Sequence, residues 1–225
     1  MHQFELSSES KAKLVSRLGR PFMIEAIQSA STALIVVDMQ NYFVAPGYPF
    51  ETPVAREIVP NVNRLADGVR DAGGLVVWIE NISPADSAAD WPSYARRQSE
   101  KHWKTRDEFL QPGHDGFALW PELTPQADDL RVPKTRFSAF IEGASDIESI
   151  LRARAIDTLL IAGVATNICC ESTARDAMMR GFDVIMISDA CAAPSDELHA
   201  ASLTNFYEFF GDVRTSDEVI DLMKA

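Results

Sequence analysis

Residues 33–38 read ALIVVD, five apolar residues in succession closed by an aspartate. A strand with one wet face alternates apolar and polar side chains. An unbroken apolar run suits a strand covered on both faces, as in a parallel sheet between two layers of helices. The same form returns as LVVWI (75–79), TLLIA (158–162) and DVIMI (183–187), with weaker strand candidates at 129–132 and around Val213. Helix-length amphipathic stretches separate these runs. Val62, Leu65 and Val69 keep helical spacing and stop at Gly73–Gly74, where glycine permits the left-handed turn that ends a helix. Pro60 suits the first turn of that helix better than its interior. Ser145–Asp146 can cap a helix carrying Ile147, Ile150 and Leu151. A further helix is predicted from about Ile168 to Arg180, ending at Gly181, and another over 218–223. Strands alternating with helices imply right-handed crossovers. The fold class is therefore α/β, a doubly wound, mostly parallel six-stranded sheet with helices on both faces.

The chain has 225 residues, which fits one domain with a sizeable core. Residues 1–30 precede the first strand as an extension, and about 81–128 break the alternation. That long excursion carries Trp91, Tyr94, Trp103, Trp120, His102 and His114. Excursions of this kind between strands serve as lids, pocket walls or oligomer surfaces. The formal net charge is −12, from 33 acids against 21 bases, which argues against a nucleic-acid partner. The N-terminal MHQFELSSESKAKLVSRLGR lacks the apolar core of a secretory signal, and no run is long and apolar enough for a membrane span. Three cysteines, Cys169, Cys170 and Cys191, are no disulfide scaffold. A cytoplasmic protein is expected.

In open α/β sheets, ligands bind beyond the carboxyl ends of the strands. Three chemically capable residues stand at such positions. Asp38 closes the first strand, Lys134 follows the strand at 130–132, and Cys169 lies where a helix begins after 159–162. A thiolate attacks carbonyls, and a helix N-terminus and an ammonium group both favour it. A carboxylate can take the thiol proton and return it to a leaving amine, while backbone N–H groups of the same turn hold an oxyanion. Each residue also has an ordinary role: Asp38 as a helix cap, Lys134 as a solvated surface charge, and any of the cysteines as core. Their common location on one sheet edge favours the chemical reading.

TALIVVDMQNYF (32–43), VPKTRFSAF (132–140) and GVATNICCESTARDAMMRGFDVIMISDACAA (163–193) resemble, in this order, the motifs of the isochorismatase-like cysteine hydrolases. The resemblance covers about 30–215 and implies that fold. It implies a catalytic set of Asp38, Lys134 and Cys169, a cis peptide at Val164–Ala165, and an oxyanion hole from the N–H groups of Ala165 and Cys169. Cys169 and not Cys170 matches the family nucleophile, two residues after Asn167. True isochorismatases lack that cysteine. Nicotinamidases hold a metal through an Asp-x-His pattern where this chain reads WIENISPAD (78–86), so no metal and no cofactor are expected. His102 and His114 lack ligand spacing. PKTRFSAF and the stretch GHDGFALWPELTPQADDLRVPK look most like the family branch acting on ureido compounds, such as ureidoacrylate, biuret and triuret.

The expected reaction is cysteine-dependent hydrolysis of a C–N bond in a small ureido or carbamoyl amide through a thioester, with ammonia or an amine released. Asn41, Phe43, Glu80 and Phe137 lie at or near strand ends as candidate substrate contacts. Rival readings are a hydrolase of another small amide, of the maleamate or N-carbamoylsarcosine type, and a non-catalytic binding protein on the same fold. A homo-oligomer, dimer or tetramer, is expected from the family likeness and the aromatic excursion.

Overall fold

A computed structural model describes residues 1–224. Among these, six strands form one parallel sheet in the order β3-β2-β1-β4-β5-β6. They are β1 (Thr32–Val37), β2 (Leu75–Asn81), β3 (Leu130–Lys134), β4 (Thr158–Val164), β5 (Asp183–Ala192) and β6 (Asp212–Arg214). The helices are α1 (Ser8–Leu18), α2 (Asn41–Val44), α3 (Ala55–Asp71), α4 (Ser87–Asp90), α5 (Pro92–Ala95), α6 (Glu100–Phe109), α7 (Ile147–Ala153), α8 (Glu171–Met179), α9 (Asp196–Phe209) and α10 (Ser216–Lys224). All six residues of β1 are buried. Ala33, Ile35 and Val37 face a core shared with Leu14, Leu151, Ala174 and Phe206, from α1, α7, α8 and α9. Leu34 and Val36 face the opposite core, with Val62, Leu65 and Val69 of α3 and Val219 of α10. Burying one such aliphatic side chain contributes about 1.5–3 kcal/mol, so the apolar runs dictate two-sided cover.

Three local features depart from the expectations. Pro60 lies inside α3 and not in its first turn. Ala55, Ile58 and Val59 are buried against the sheet, and this burial starts the helix earlier than the proline would. The helix predicted from Ile168 begins instead with a wide π-helical turn, Thr166–Cys170, and only then continues as α8. There the Cys170 N–H reaches back five residues to the Ala165 carbonyl at 3.2 Å. β5 runs to Ala192, past the predicted 183–187, because the polar Ser188 and Asp189 have partners: Asp189 accepts from the Ser216 amide and hydroxyl, each at 2.7 Å.

The N-terminal extension is pinned to the domain. Ser7 caps α1 by accepting from the Ser10 amide at 3.0 Å, and His2 is buried, its ring stacked on His199 at 4.4 Å. His199 Nδ1 in turn lies 2.9 Å from the Thr166 hydroxyl, so this tether reaches the turn that carries Cys169. Burial, with the His2 charge beside it, depresses the His199 pKa from 6.5 to about 4, against the pull of Asp196. The unfolded chain thus takes up this proton first. Stability supplied by neutral His199 is complete above about pH 6.5 and erodes as the pH falls toward 4, by at most about 1.4 kcal/mol per pH unit. Urea unfolding from pH 7 to 4 is expected to show this slope in the wild type and a shallower one in His199→Gln.

At the end of β4, Gly163 adopts φ +112°, and a Cβ there would meet the Val37 carbonyl oxygen at 2.1 Å. The register between β4 and β5 shifts at this point, and the chain passes through the cis peptide Val164–Ala165. Gly163→Ala is expected to destabilise the fold by about 3 kcal/mol or more, read as a drop in urea midpoint.

Candidate active site

Because all the strands are parallel, their carboxyl ends share one edge, and the chain order reverses between β1 and β4. Such a switch point opens a crevice. Asp38 stands on one side of it, just past β1, and Cys169 on the other, in the wide turn after β4. Lys134 ends β3, two strands from β1 and paired in register with Asn81 of β2. The side chain must bridge strands spaced about 4.8 Å apart, which a long lysine can do. Its Nζ donates to Asp38 Oδ2 at 2.8 Å and to the Arg136 carbonyl at 2.9 Å. Both partners of this ion pair are 0% exposed. Asp38 is therefore no helix cap and Lys134 no surface charge. Asp38 has φ +53°, a left-handed conformation that costs a non-glycine residue about 1–2 kcal/mol. Its second oxygen, Oδ1, is buried without a hydrogen-bond partner.

Cys169 is only 6% exposed, and its thiol interacts with both members of the pair. Burial pushes its pKa up to about 12; Lys134 works the other way, and Asp38 adds to the rise. The Lys134 cation favours the thiolate, but loss of water outweighs it. Burial also opposes the Lys134 ammonium, yet its pairing with Asp38 and its contact with Cys169 prevail and raise its pKa. Cys170, one residue on, is fully buried, with its thiol pKa driven well up by burial and by Cys191. The wide turn thus sends two adjacent thiols to different places: Cys169 lines the cavity, Cys170 the core.

That cavity has a volume of about 420 Å³. Val164, Ala165, Ile168 and Cys169 form its floor, Tyr42, Phe43 and Phe50 one wall, and Trp91, Tyr94, Gln98 and Arg106 of the 81–128 excursion another. Phe43 and Phe137, proposed from the sequence as contacts, line it. Two other candidates do not. Glu80 lies in a separate hollow with His114 and Trp120, where it pairs with Arg131 at 2.5 Å. Side chains alternate along a strand, so its neighbour Asn81 takes the cavity side instead. Asn41 holds the Asp115 carbonyl at 2.9 Å and braces α2 against the excursion.

Sequence reading missed Arg106, Tyr42 and Tyr94. The one available signal was the Trp103–Arg106 spacing, which stacks the guanidinium 5.4 Å from the indole. His102 is exposed on α6, and His114 accepts from the Gly116 amide at 2.9 Å. Among the described residues, no group of three or more His, Cys, Asp or Glu side chains gathers as a metal site would, and no helix is long and apolar enough to cross a membrane.

A doubly wound α/β domain with a buried Asp–Lys pair and a thiol at its switch point defines a class, and sequence comparison identifies it. Residues 32–218 match the isochorismatase domain, and the chain belongs to that family. It is 35% identical to the ureidoacrylate amidohydrolase RutB of Variovorax paradoxus over 209 residues, covering 87% of this chain and 82% of that protein. The RutB of Rhizobium rhizogenes is 33% identical, covering 93% and 90%. Among solved structures, a cysteine hydrolase from Pseudomonas syringae pv. phaseolicola superposes with a TM-score of 0.80 at 30% identity, over 92% of this chain and 99% of that one. N-carbamoylsarcosine amidase from Thermoplasma acidophilum gives 0.66 at 29% identity, over 83% and 97%.

A thiol with a pKa near 12 has a small thiolate fraction at neutral pH that rises tenfold per pH unit. In the ligand-free protein, Cys169 alkylation by iodoacetamide is expected to keep accelerating from pH 7 through 10. A plateau below pH 9, measured by peptide mass, would contradict this.

Proposed function

We propose that the protein is a cysteine amidohydrolase that cleaves a C–N bond in a small ureido or carbamoyl amide. The observation that carries this reading is the Cys169 thiol at the floor of the cavity, within reach of the buried Asp38–Lys134 pair. The likeness to ureidoacrylate amidohydrolases and to N-carbamoylsarcosine amidase supports the substrate class.

The resting thiol is protonated, so the nucleophile forms as it is used. Asp38 Oδ1, the partnerless oxygen, takes the Cys169 proton while sulfur bonds to the carbonyl carbon. The carbonyl π electrons move to oxygen, and the N–H groups of Ala165 and Cys169 hold the resulting charge. The intermediate collapses with cleavage of the C–N bond, and the proton on Asp38 passes to the departing nitrogen, which leaves as ammonia or an amine. A thioester remains. Water then attacks it, giving one proton to Asp38. The C–S bond breaks, the acid or carbamate leaves, and that proton returns to sulfur. Lys134 stays charged throughout and holds the carboxylate in place.

Release of ammonia from a panel of ureido and carbamoyl compounds tests the scheme. Cys169→Ser is expected to lose at least about 1,000-fold in kcat/KM, and Cys170→Ser to remain within a few-fold of wild type. Activity that survives the first change and disappears with the second would assign the chemistry to the wrong sulfur. A chain inert toward the whole panel, with no acyl mass on Cys169, would indicate a binding protein.

A further inference from the structure

His2, in the N-terminal extension, is fixed at three points, and its side chain is only 1% exposed. Its Nε2 lies 3.0 Å from the Ala193 amide nitrogen and 3.1 Å from the Ala193 carbonyl oxygen. The ring is therefore held to Ala193 whether that nitrogen accepts or donates. Its Nδ1 lies 2.5 Å from Asp196 Oδ1. The imidazole also stacks on His199 at 4.4 Å, and Phe4 meets the same His199 ring edge-on at 5.9 Å. Ala193 follows the end of β5 and precedes Pro194, which lines the cavity. His199 is 0% exposed, and its Nδ1 lies 2.9 Å from the Thr166 hydroxyl. Thr166 is the first residue of the wide turn that carries Cys169. Two side chains of the extension thus bear on two segments of the cavity lining, the wide turn through His199 and the Pro194 segment through Ala193.

A helical turn widened by one residue is rare and occurs mostly where function needs it, so its surroundings must favour it over the regular turn. The α-helical alternative shifts the register by one residue, and each residue of helix rotates a side chain by about 100°. Cys169 would then leave its place beside Asp38 and Lys134. A misplacement of about 1 Å already costs on the order of 100-fold in rate. We propose that His2 and Phe4 are positioning residues: the N-terminal extension clamps His199 and Ala193, and through Thr166 it fixes the wide turn so that the Cys169 thiol stays with the Asp38–Lys134 pair. Neither residue lines the cavity, so both act through others. The inference rests on the reading of Cys169 as the reacting group, and it gives the extension a part in catalysis as well as in stability.

Iodoacetamide labelling at pH 8, read by peptide mass at each of the three cysteines, reports the turn without any turnover. In His2→Ala, Cys169 is expected to react about 10-fold or more faster than in wild type, because escape from burial frees its thiolate. Cys170 and Cys191, which lie in the core, are expected to stay unreactive, and this separates a local change from unfolding. His2→Gln can keep the Ala193 bond but not the stacking, and it is expected to fall between the two. Phe4→Ala is expected to give a smaller acceleration than His2→Ala. On the ureido or carbamoyl compound that wild type hydrolyses fastest, kcat of His2→Ala is expected to fall by about 10-fold or more, with KM within a few-fold. A Cys169 rate within twofold of wild type, or acceleration of all three cysteines together, would make the extension a stabilising element only and overturn the proposal. Faster labelling of Cys169 with kcat unchanged would overturn it too. Should His2→Ala not fold, His2→Gln is judged by the same outcomes. Faster labelling confined to Cys169, with no compound turned over by wild type, removes the ureido reading and keeps the clamp on the turn.

Discussion

The pairing of Lys134 with Asp38 is the constraint around which the rest of this molecule is arranged. Two opposite charges sit without solvent at the ends of β3 and β1. Such a pair is tolerated only while both members are present and well bonded; removing one leaves an uncompensated charge, at a cost of about 3–5 kcal/mol. A second contact, from Nζ to the Arg136 carbonyl, fixes the lysine further. What the pair gains in position it gives up in net stabilisation, since much of the attraction offsets dehydration. Its value lies in geometry. It holds one carboxylate oxygen occupied and leaves the other without a hydrogen-bond partner.

Burial then sets the chemistry. In water, an ammonium beside a thiol would help to ionise it. Here dehydration dominates, and the sulfur keeps its proton. In the proposed reaction, this protonated sulfur would lose its proton only as a carbonyl comes close enough to accept the electron pair. The same dehydration strengthens every remaining polar contact inside.

Much of this was legible in the sequence, and the rest was hidden for identifiable reasons. The apolar runs at 33–37, 75–79, 158–162 and 183–187 signalled strands because two-sided burial leaves no room for polar alternation. Asp38, Lys134 and Cys169 stood out because reactive types at strand ends are few. The wide turn at 166–170 was not readable, since one extra residue in a helical turn leaves no mark on periodicity. Glu80 and Asn81 differ by one step along β2 and so by a whole face; choosing between them requires the register. Arg106 sits in EKHWKTRDEF, where charges surround the helix and only the spacing from Trp103 marks the inward one.

The wall that carries Trp91, Tyr94, Gln98 and Arg106 comes from one continuous stretch of chain, apart from the strands that bear the Asp–Lys pair and the sulfur. Part of the cavity wall is thereby carried on a segment apart from the buried pair, while Tyr42, Phe43 and Phe137 line it from beside Asp38 and Lys134. A lineage can revise what the cavity accepts by altering some sixteen consecutive positions, 91–106, without disturbing the buried charges on which the domain stands. Grafting that strip between relatives is accordingly the natural unit of exchange for redirecting this scaffold toward a new amide.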